Sequence, residues 1–172
     1  MDYVHYLLAI SHYEQIVDEK KDLQSLVKAK QNFNYLINEF PNSEYALDAT
    51  FKIDLINDIL AAKQMYLGRY YIDRKKWIAA INRFRTVVDE FETTEYTEEA
   101  LLRLVEVHYK IGLKNEAKKY ANILGYNYQS SEWYEKSYII FNKKYEENKM
   151  MKIKKEKEKS NSIFNKFISL FG

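Results

Sequence analysis

The chain contains no cysteine, which excludes disulfides, thiolate metal sites and any lipid attached through a cysteine of this sequence. A single proline and four glycines leave little to punctuate the tight turns of a sheet-rich fold. No apolar run approaches the roughly 18 to 20 residues needed to span a bilayer. The opening residues, Met1-Asp2-Tyr3-Val4-His5, show no basic stretch ahead of an apolar one, so no signal peptide is read there. A net charge of +2 is too small to steer the molecule as a whole towards nucleic acid or a membrane.

What is abundant is aromatic and helical. Sixteen Tyr, nine Phe and two Trp stand in 172 residues that are 47% apolar, enough for a continuous core. Apolar residues recur with a period near 3.6: Tyr3, Leu7 and Ile10; Leu26, Ala29, Phe33, Leu36 and Ile37; Ala49, Ile53, Ile56 and Leu60. Helices are predicted at 2–17, 22–40, 43–60, 61–73, 76–91, 95–111, 114–124 and 131–148, the third and fourth reading equally well as one long helix. Breaks fall at Asp18–Asp22, Pro41-Asn42-Ser43, Arg74–Lys76, Glu92-Thr93-Thr94, Gly112 and Gly125–Ser131. Asn42 or Ser43, Thr94 and Ser131 are N-cap candidates, and Gly112 and Gly125 suit positions just past helix ends.

Two stretches repeat at an offset of 51: Asn38-Glu39-Phe40-Pro41-Asn42-Ser43-Glu44-Tyr45 and Asp89-Glu90-Phe91-Glu92-Thr93-Thr94-Glu95-Tyr96. Each follows a small residue and an aromatic one turn later, Ala29 with Phe33 and Ala80 with Phe84. A small side chain lets two helices approach closely, and the ring fills the groove beside it. Leu67, Gly68 and Tyr71 precede Ala80 and Phe84 at the spacing of a tetratricopeptide repeat. A weaker copy runs through Leu101, Leu104, His108, Ala117, Ala121 and Leu124. The pattern predicts an all-α, tetratricopeptide-like solenoid of helical hairpins with a basic C-terminal tail. Residues 1–148 are expected to be the C-terminal repeats of a longer array, because no polar capping repeat precedes the first helix.

Catalytic constellations do not emerge. His5 and His12 stand seven apart and His108 is remote, short of the three or four converging ligands of a metal site. Carboxylates fit solvated faces and pairs such as Glu116 with Lys119. Four scattered glycines make no phosphate cradle. No enzyme, metal or cofactor is therefore expected. The rings at Tyr66, Tyr70 and Tyr71, and at Tyr126, Tyr128, Trp133 and Tyr134, read as inter-helix packing or as hot spots at a solenoid edge. Arg69, Arg74, Lys75, Lys76, Arg83 and Arg85 gather near one turn, as either a solvated loop or a basic patch for an acidic partner.

Residues 149–172 form a separate tail. Lys149–Lys159 carries six Lys and two Glu, a local +4; with Lys166 and an overall +2, residues 1–148 stand at −3. Beyond this Lys-rich linker, Ile163, Phe164, Phe167, Ile168 and Phe171 share one face of a short amphipathic helix. Phe164, Phe167, Ile168 and Phe171 are thus candidates for contact with an anionic membrane surface, a partner's groove or the end of the solenoid.

In order along the chain, Asp2-Tyr3-Val4; Phe40-Pro41-Asn42-Ser43-Glu44-Tyr45-Ala46 with Asp48-Ala49; Arg69-Tyr70-Tyr71; Trp77-Ile78-Ala79-Ala80-Ile81-Asn82-Arg83-Phe84; and Leu124-Gly125-Tyr126-Asn127-Tyr128 to Ser131-Glu132-Trp133-Tyr134 resemble the C-terminal half of the BamD family. These are tetratricopeptide lipoproteins of outer-membrane β-barrel assembly, and the resemblance covers about residues 2–140. It implies a scaffold on the periplasmic face of the outer membrane. It also implies docking to the POTRA region of the barrel subunit BamA, with other assembly-machine subunits and unfolded outer-membrane proteins as further partners. By position it assigns the BamA contact to Arg74 and Arg83, supported by Arg69 and Trp77. The family's lipoprotein signal, acylated Cys and first two repeats have no counterpart in this sequence, which puts substrate reception in doubt. The competing expectation is a generic peptide-binding or chaperone-docking repeat adaptor. A carboxylate clamp of that kind needs Lys and Asn facing the groove, where this chain has Met65 and Arg69.

Overall fold

A computed structural model describes residues 1–15 and 23–142, together with residues 150–151, 153–155 and 157–159. Among the described residues there is no strand. The named helices are α1 (Asp2–Tyr13), α2 (Gln24–Glu39), α3 (Glu44–Asp73), α4 (Trp77–Glu90), α5 (Tyr96–Lys110), α6 (Lys114–Asn127) and α7 (Glu132–Phe141). The described residues within 150–159 are helical and exposed. None of the described helices is long and apolar enough to cross a membrane.

The helices pack in sequential pairs, α1 with α2, α3 with α4 and α5 with α6, and each pair lies on the next, as the solenoid expectation requires. α3 is one unbroken helix, because Ile59-Leu60-Ala61-Ala62-Lys63 contains nothing that interrupts the backbone ladder. Its 30 residues extend about 45 Å. The N-terminal half gives Ala49 and Ile56 to a core with Ala9, Leu26, Ala29, Phe33 and Leu36. The C-terminal half gives Ala61 and Met65 to a second core with Ala80, Phe84, Val87 and Leu104. Leu60 packs against both. A third, smaller core joins Leu101, Leu102 and Leu124 to Trp133 and Tyr134 of α7.

The joints between hairpins repeat in detail. Phe40, Phe91 and Tyr128 end α2, α4 and α6 with φ of −131°, −133° and −135°, and each N–H donates to the carbonyl four residues back. Three residues on, the N–H groups of Ser43, Thr94 and Ser131 donate to those same aromatic residues' carbonyls. The offset of 51 thus marks two copies of a joint that occurs three times. Ser43 and Ser131 cap α3 and α7 through their hydroxyls, as expected. Thr94 does not cap α5: its hydroxyl donates instead to the Phe91 carbonyl at 2.8 Å, and the side chain is buried.

Two other expectations are corrected. α1 buries Ala9 and packs Tyr6, Ile10 and Tyr13, while Tyr3 and Leu7 are about half exposed; this helix is apolar on two faces, so spacing could not choose between them. α6 runs through Gly125 to Asn127, and Gly125 serves close packing: a Cβ there would lie 2.7 Å from the Tyr134 ring. Gly112, with φ of 88°, does end α5 as read. The predicted break at Asp18–Asp22, the helix beyond residue 142 and the amphipathic segment with Phe164, Phe167, Ile168 and Phe171 lie outside the described residues, in whole or in large part.

Two contacts set how tightly these elements fit. A Cβ on Gly68 would stand 2.4 Å from Phe84 Cε1, and that ring is fully buried. Gly68→Ala gains about 1 kcal/mol of helix propensity but forces an overpacked core costing about 1–3 kcal/mol. The balance expected in urea denaturation is a net loss of up to about 2 kcal/mol. The second contact joins α1 to α3. Tyr6 donates to Asp48 at 2.6 Å, and this hydrogen bond, followed by burial and the Asp48 charge, pushes the phenol's pKa up to about 12. Because the neutral phenol is the donor, the folded state holds the proton more tightly than the unfolded chain. The contribution is complete below about pH 10 and is lost as pH rises through about 12. Tyr6→Phe is expected to cost about 1–2 kcal/mol at neutral pH, with the gap to the parent closing over that alkaline window.

Candidate partner-binding edge

The basic residues singled out from the sequence lie around the α3–α4 turn. Its geometry repeats at the α5–α6 turn, 37 residues later. Lys75 N–H donates to the Ile72 carbonyl and Lys76 N–H to that of Tyr71; Gly112 and Leu113 donate in the same way to Tyr109 and His108. These bonds close the two helix ends through one residue in the left-handed region, Lys75 at φ 56° and Gly112 at φ 88°. A lysine in that conformation costs about 1–2 kcal/mol relative to right-handed backbone. The chain tolerates it at the centre of three consecutive exposed cations, Arg74, Lys75 and Lys76.

Side chains link the two turns into one edge. The Lys110 ammonium sits 4.7 Å above the ring of Trp77, a partly buried residue that packs against the second core. Arg74 lies 4.3 Å above Tyr70, and Lys114 lies 5.7 Å from the centre of Tyr109. Each such contact contributes about 0.5–1 kcal/mol when exposed and leaves the positive charge unneutralised. Among the described residues, Arg74, Lys75, Lys76, Lys110 and Lys114 take part in no ion pair. Asp73 is the exposed carboxylate beside them.

The four candidate contact residues therefore divide. Arg74 and Trp77 stand on the edge. Arg69 turns towards α5, where it meets Glu99 at 3.1 and 3.2 Å. The same carboxylate receives Arg103, which also bonds Glu106 at 2.8 Å. Burial opposes the Arg103 charge, but hydrogen bonds and charge from Glu106 and Glu99 outweigh it and raise the pKa of the guanidinium. Arg83 is half-buried and donates to Gln64 of α3 at 3.3 Å. Lys110 and Lys114 were missed as members of the edge. The repeat offset that places Gly112 opposite Lys75 was the signal that would have found them.

Other side chains settle smaller questions. Met65, at a position a carboxylate clamp would need in the groove, is fully buried. His5 lies 4.7 Å from the Tyr35 ring; His108 is buried, its Nδ1 2.7 Å from the Leu104 carbonyl and its ring against Tyr120. Glu116 and Lys119 form the ion pair read from their spacing, at 2.7 Å. Of the crowded rings, Tyr71, Tyr128, Trp133 and Tyr134 pack into cores, while Tyr66, Tyr70 and Tyr126 are exposed. A further exposed surface runs along the N-terminal half of α3, where Leu47, Phe51 and Leu55 follow one another at four-residue spacing. Asp58 lies nearby, its pKa raised by burial and then by the charges of Glu95 and Asp54.

Comparison with known proteins supplies the family. Residues 1–124 match the YfiO family, described as outer membrane lipoproteins. An outer membrane protein assembly factor BamD from Rickettsia prowazekii is 48% identical over 138 residues, covering 80% of this chain and 55% of the relative. Its counterpart from Caulobacter vibrioides is 44% identical over 140 residues, 81% of this chain and 46% of the relative. At greater distance, that from Vibrio cholerae is 26% identical over 137 residues, 74% of this chain and 57% of the relative. The chain spans about half the length of these relatives. With the family match over residues 1–124 and relatives 44–48% identical over about 80% of its length, the chain belongs to the YfiO family of outer membrane lipoproteins, the BamD type.

Proposed function

We propose that this chain is a non-catalytic scaffold segment of outer-membrane β-barrel protein assembly, and that it docks the POTRA region of BamA through the edge formed by its two hairpin turns. The relatives' shared name, outer membrane protein assembly factor, supports the process. The observation that carries the docking surface is the row of Arg74, Lys75, Lys76, Lys110 and Lys114, exposed and outside any ion pair among the described residues. Two of these cations flank Trp77 and Tyr70, so the edge offers charge beside aromatic area, the composition typical of binding hot spots. Arg guanidinium groups make bidentate pairs with carboxylates, which suits an acidic partner surface. Arg69 and Arg83 act one layer behind, holding α5 and α4 against α3. In this reading the scaffold works at the periplasmic face of the outer membrane, beside other assembly subunits and unfolded outer-membrane proteins.

Calorimetric titration of the chain against the POTRA region of BamA from the same organism tests the docking. A dissociation constant of about 1 μM or tighter is expected, corresponding to about −8 kcal/mol. Arg74→Glu with Lys110→Glu should weaken binding at least about tenfold, and added salt should weaken the parent interaction. Arg83→Glu, which acts through helix packing, should lower thermal stability as well as affinity. Absence of binding by a chain with native helical content would overturn the proposal.

A further inference from the structure

Along the N-terminal half of α3 three large apolar side chains face solvent: Leu47 is 67% exposed, Phe51 62% and Leu55 49%. They fan over about 80° of the helix, in a row about 12 Å long. Ala49, Ile53 and Ile56, on the far side of the helix, pack into the first core, so α3 is held in place without the exposed row. A contiguous apolar row on the outside of a folded domain is the mark of a surface that meets something else.

Carboxylates share this face. Asp54 and Asp58 lie within about 20° of the Leu47 direction, and Glu95, the N-cap residue of α5, is close enough for its charge to act on Asp58. Burial, then the charges of Glu95 and Asp54, raises the Asp58 pKa, the response of a carboxyl among neighbours of its own sign. Among the described residues none of the three takes part in an ion pair. Lys154, Lys155, Lys157 and Lys159 of the tail are exposed and pair with none of them. The face is thus apolar along its middle and negative beside it.

We propose that this face of α3 docks a cationic amphipathic helix of a partner protein, with the partner's apolar side on Leu47, Phe51 and Leu55 and its Lys or Arg residues against Asp54, Asp58 and Glu95. A row of side chains offers no backbone groups to pair with, which favours an occupant whose backbone hydrogen bonds are internal. The four-residue spacing of the row is that of the ridge a second helix interlocks with. Charge separates this surface from the turn edge, which about 27 Å of α3 sets apart from Leu55. An acidic surface suited to Arg74 and Lys110 is repelled by Asp54 and Asp58, so the two surfaces take different partners. An anionic membrane meets the same repulsion.

Fluorescence anisotropy on the full chain tests this, with a labelled leucine–lysine peptide, its leucines at helical spacing, as the probe. A dissociation constant of about 10 μM or tighter is expected. Phe51→Ser should weaken it at least about tenfold, and Asp54→Lys at least about threefold with a shallower salt dependence. Tyr126→Ser, which removes an exposed ring on α6, should leave it unchanged. No binding, unchanged affinity in Phe51→Ser, or equal affinity for a leucine–glutamate peptide of the same spacing overturns the proposal. So does an effect of Phe51→Ser confined to self-association in sedimentation, which would assign the face to a second copy, or to flotation with phosphatidylglycerol vesicles, which would assign it to lipid.

Discussion

The approach of α4 to α3 depends on a missing side chain. Phe84 is fully buried against Gly68, in space a β-carbon would fill, and this contact sets the separation of the two helices on which the rest of the hairpin is registered. Gln64 can meet Arg83, and Trp77 can pack under the turn, only at that separation. Val87 and Phe91 then stand where α5 can bury Ala100 and Leu104 against them. The same device recurs in altered form at Gly125, where Tyr134 of the next helix takes the vacant space. Shape, more than any polar contact, thus orders the succession of helices.

Charge is handled in two distinct ways. Between helices, cations meet carboxylates: Glu99 draws Arg69 from α3 and Arg103 from its own helix, which fastens α3 to α5 and leaves little net charge there. Along the turn edge, cations meet ring faces, Arg74 over Tyr70 and Lys110 over Trp77. An aromatic face orients a cation without cancelling its field, so the edge is ordered and still positive. A surface of this kind loses less side-chain entropy on binding than free lysines would.

Much of this was legible in the sequence. Ala29 with Phe33 and Ala80 with Phe84 identified the buried faces of α2 and α4, and the Phe40 and Phe91 segments identified the joints. The weaker points have physical reasons. α1 is apolar on two sides, and only the position of α2 chooses between them. Thr94 has the residue type of a cap, yet its hydroxyl finds the Phe91 carbonyl first. Gly125 looked like a terminator because a glycine's need for space and its need for unusual backbone leave the same mark. The edge was half read: Arg74 and Trp77 belong to it, but the partners of Arg69 and Arg83 lie 30 and 19 positions away, beyond any local pattern.

Because α3 passes through two cores without a break, it is a lever as well as a scaffold member. A tilt imposed on α1 and α2 at one end cannot be absorbed by a loop halfway, since none exists. It arrives at the α3–α4 turn as a displacement scaled by the length of the rod. Whatever grips the first hairpin therefore has mechanical purchase on the orientation of Arg74 and Trp77, with no conformational relay needed in between.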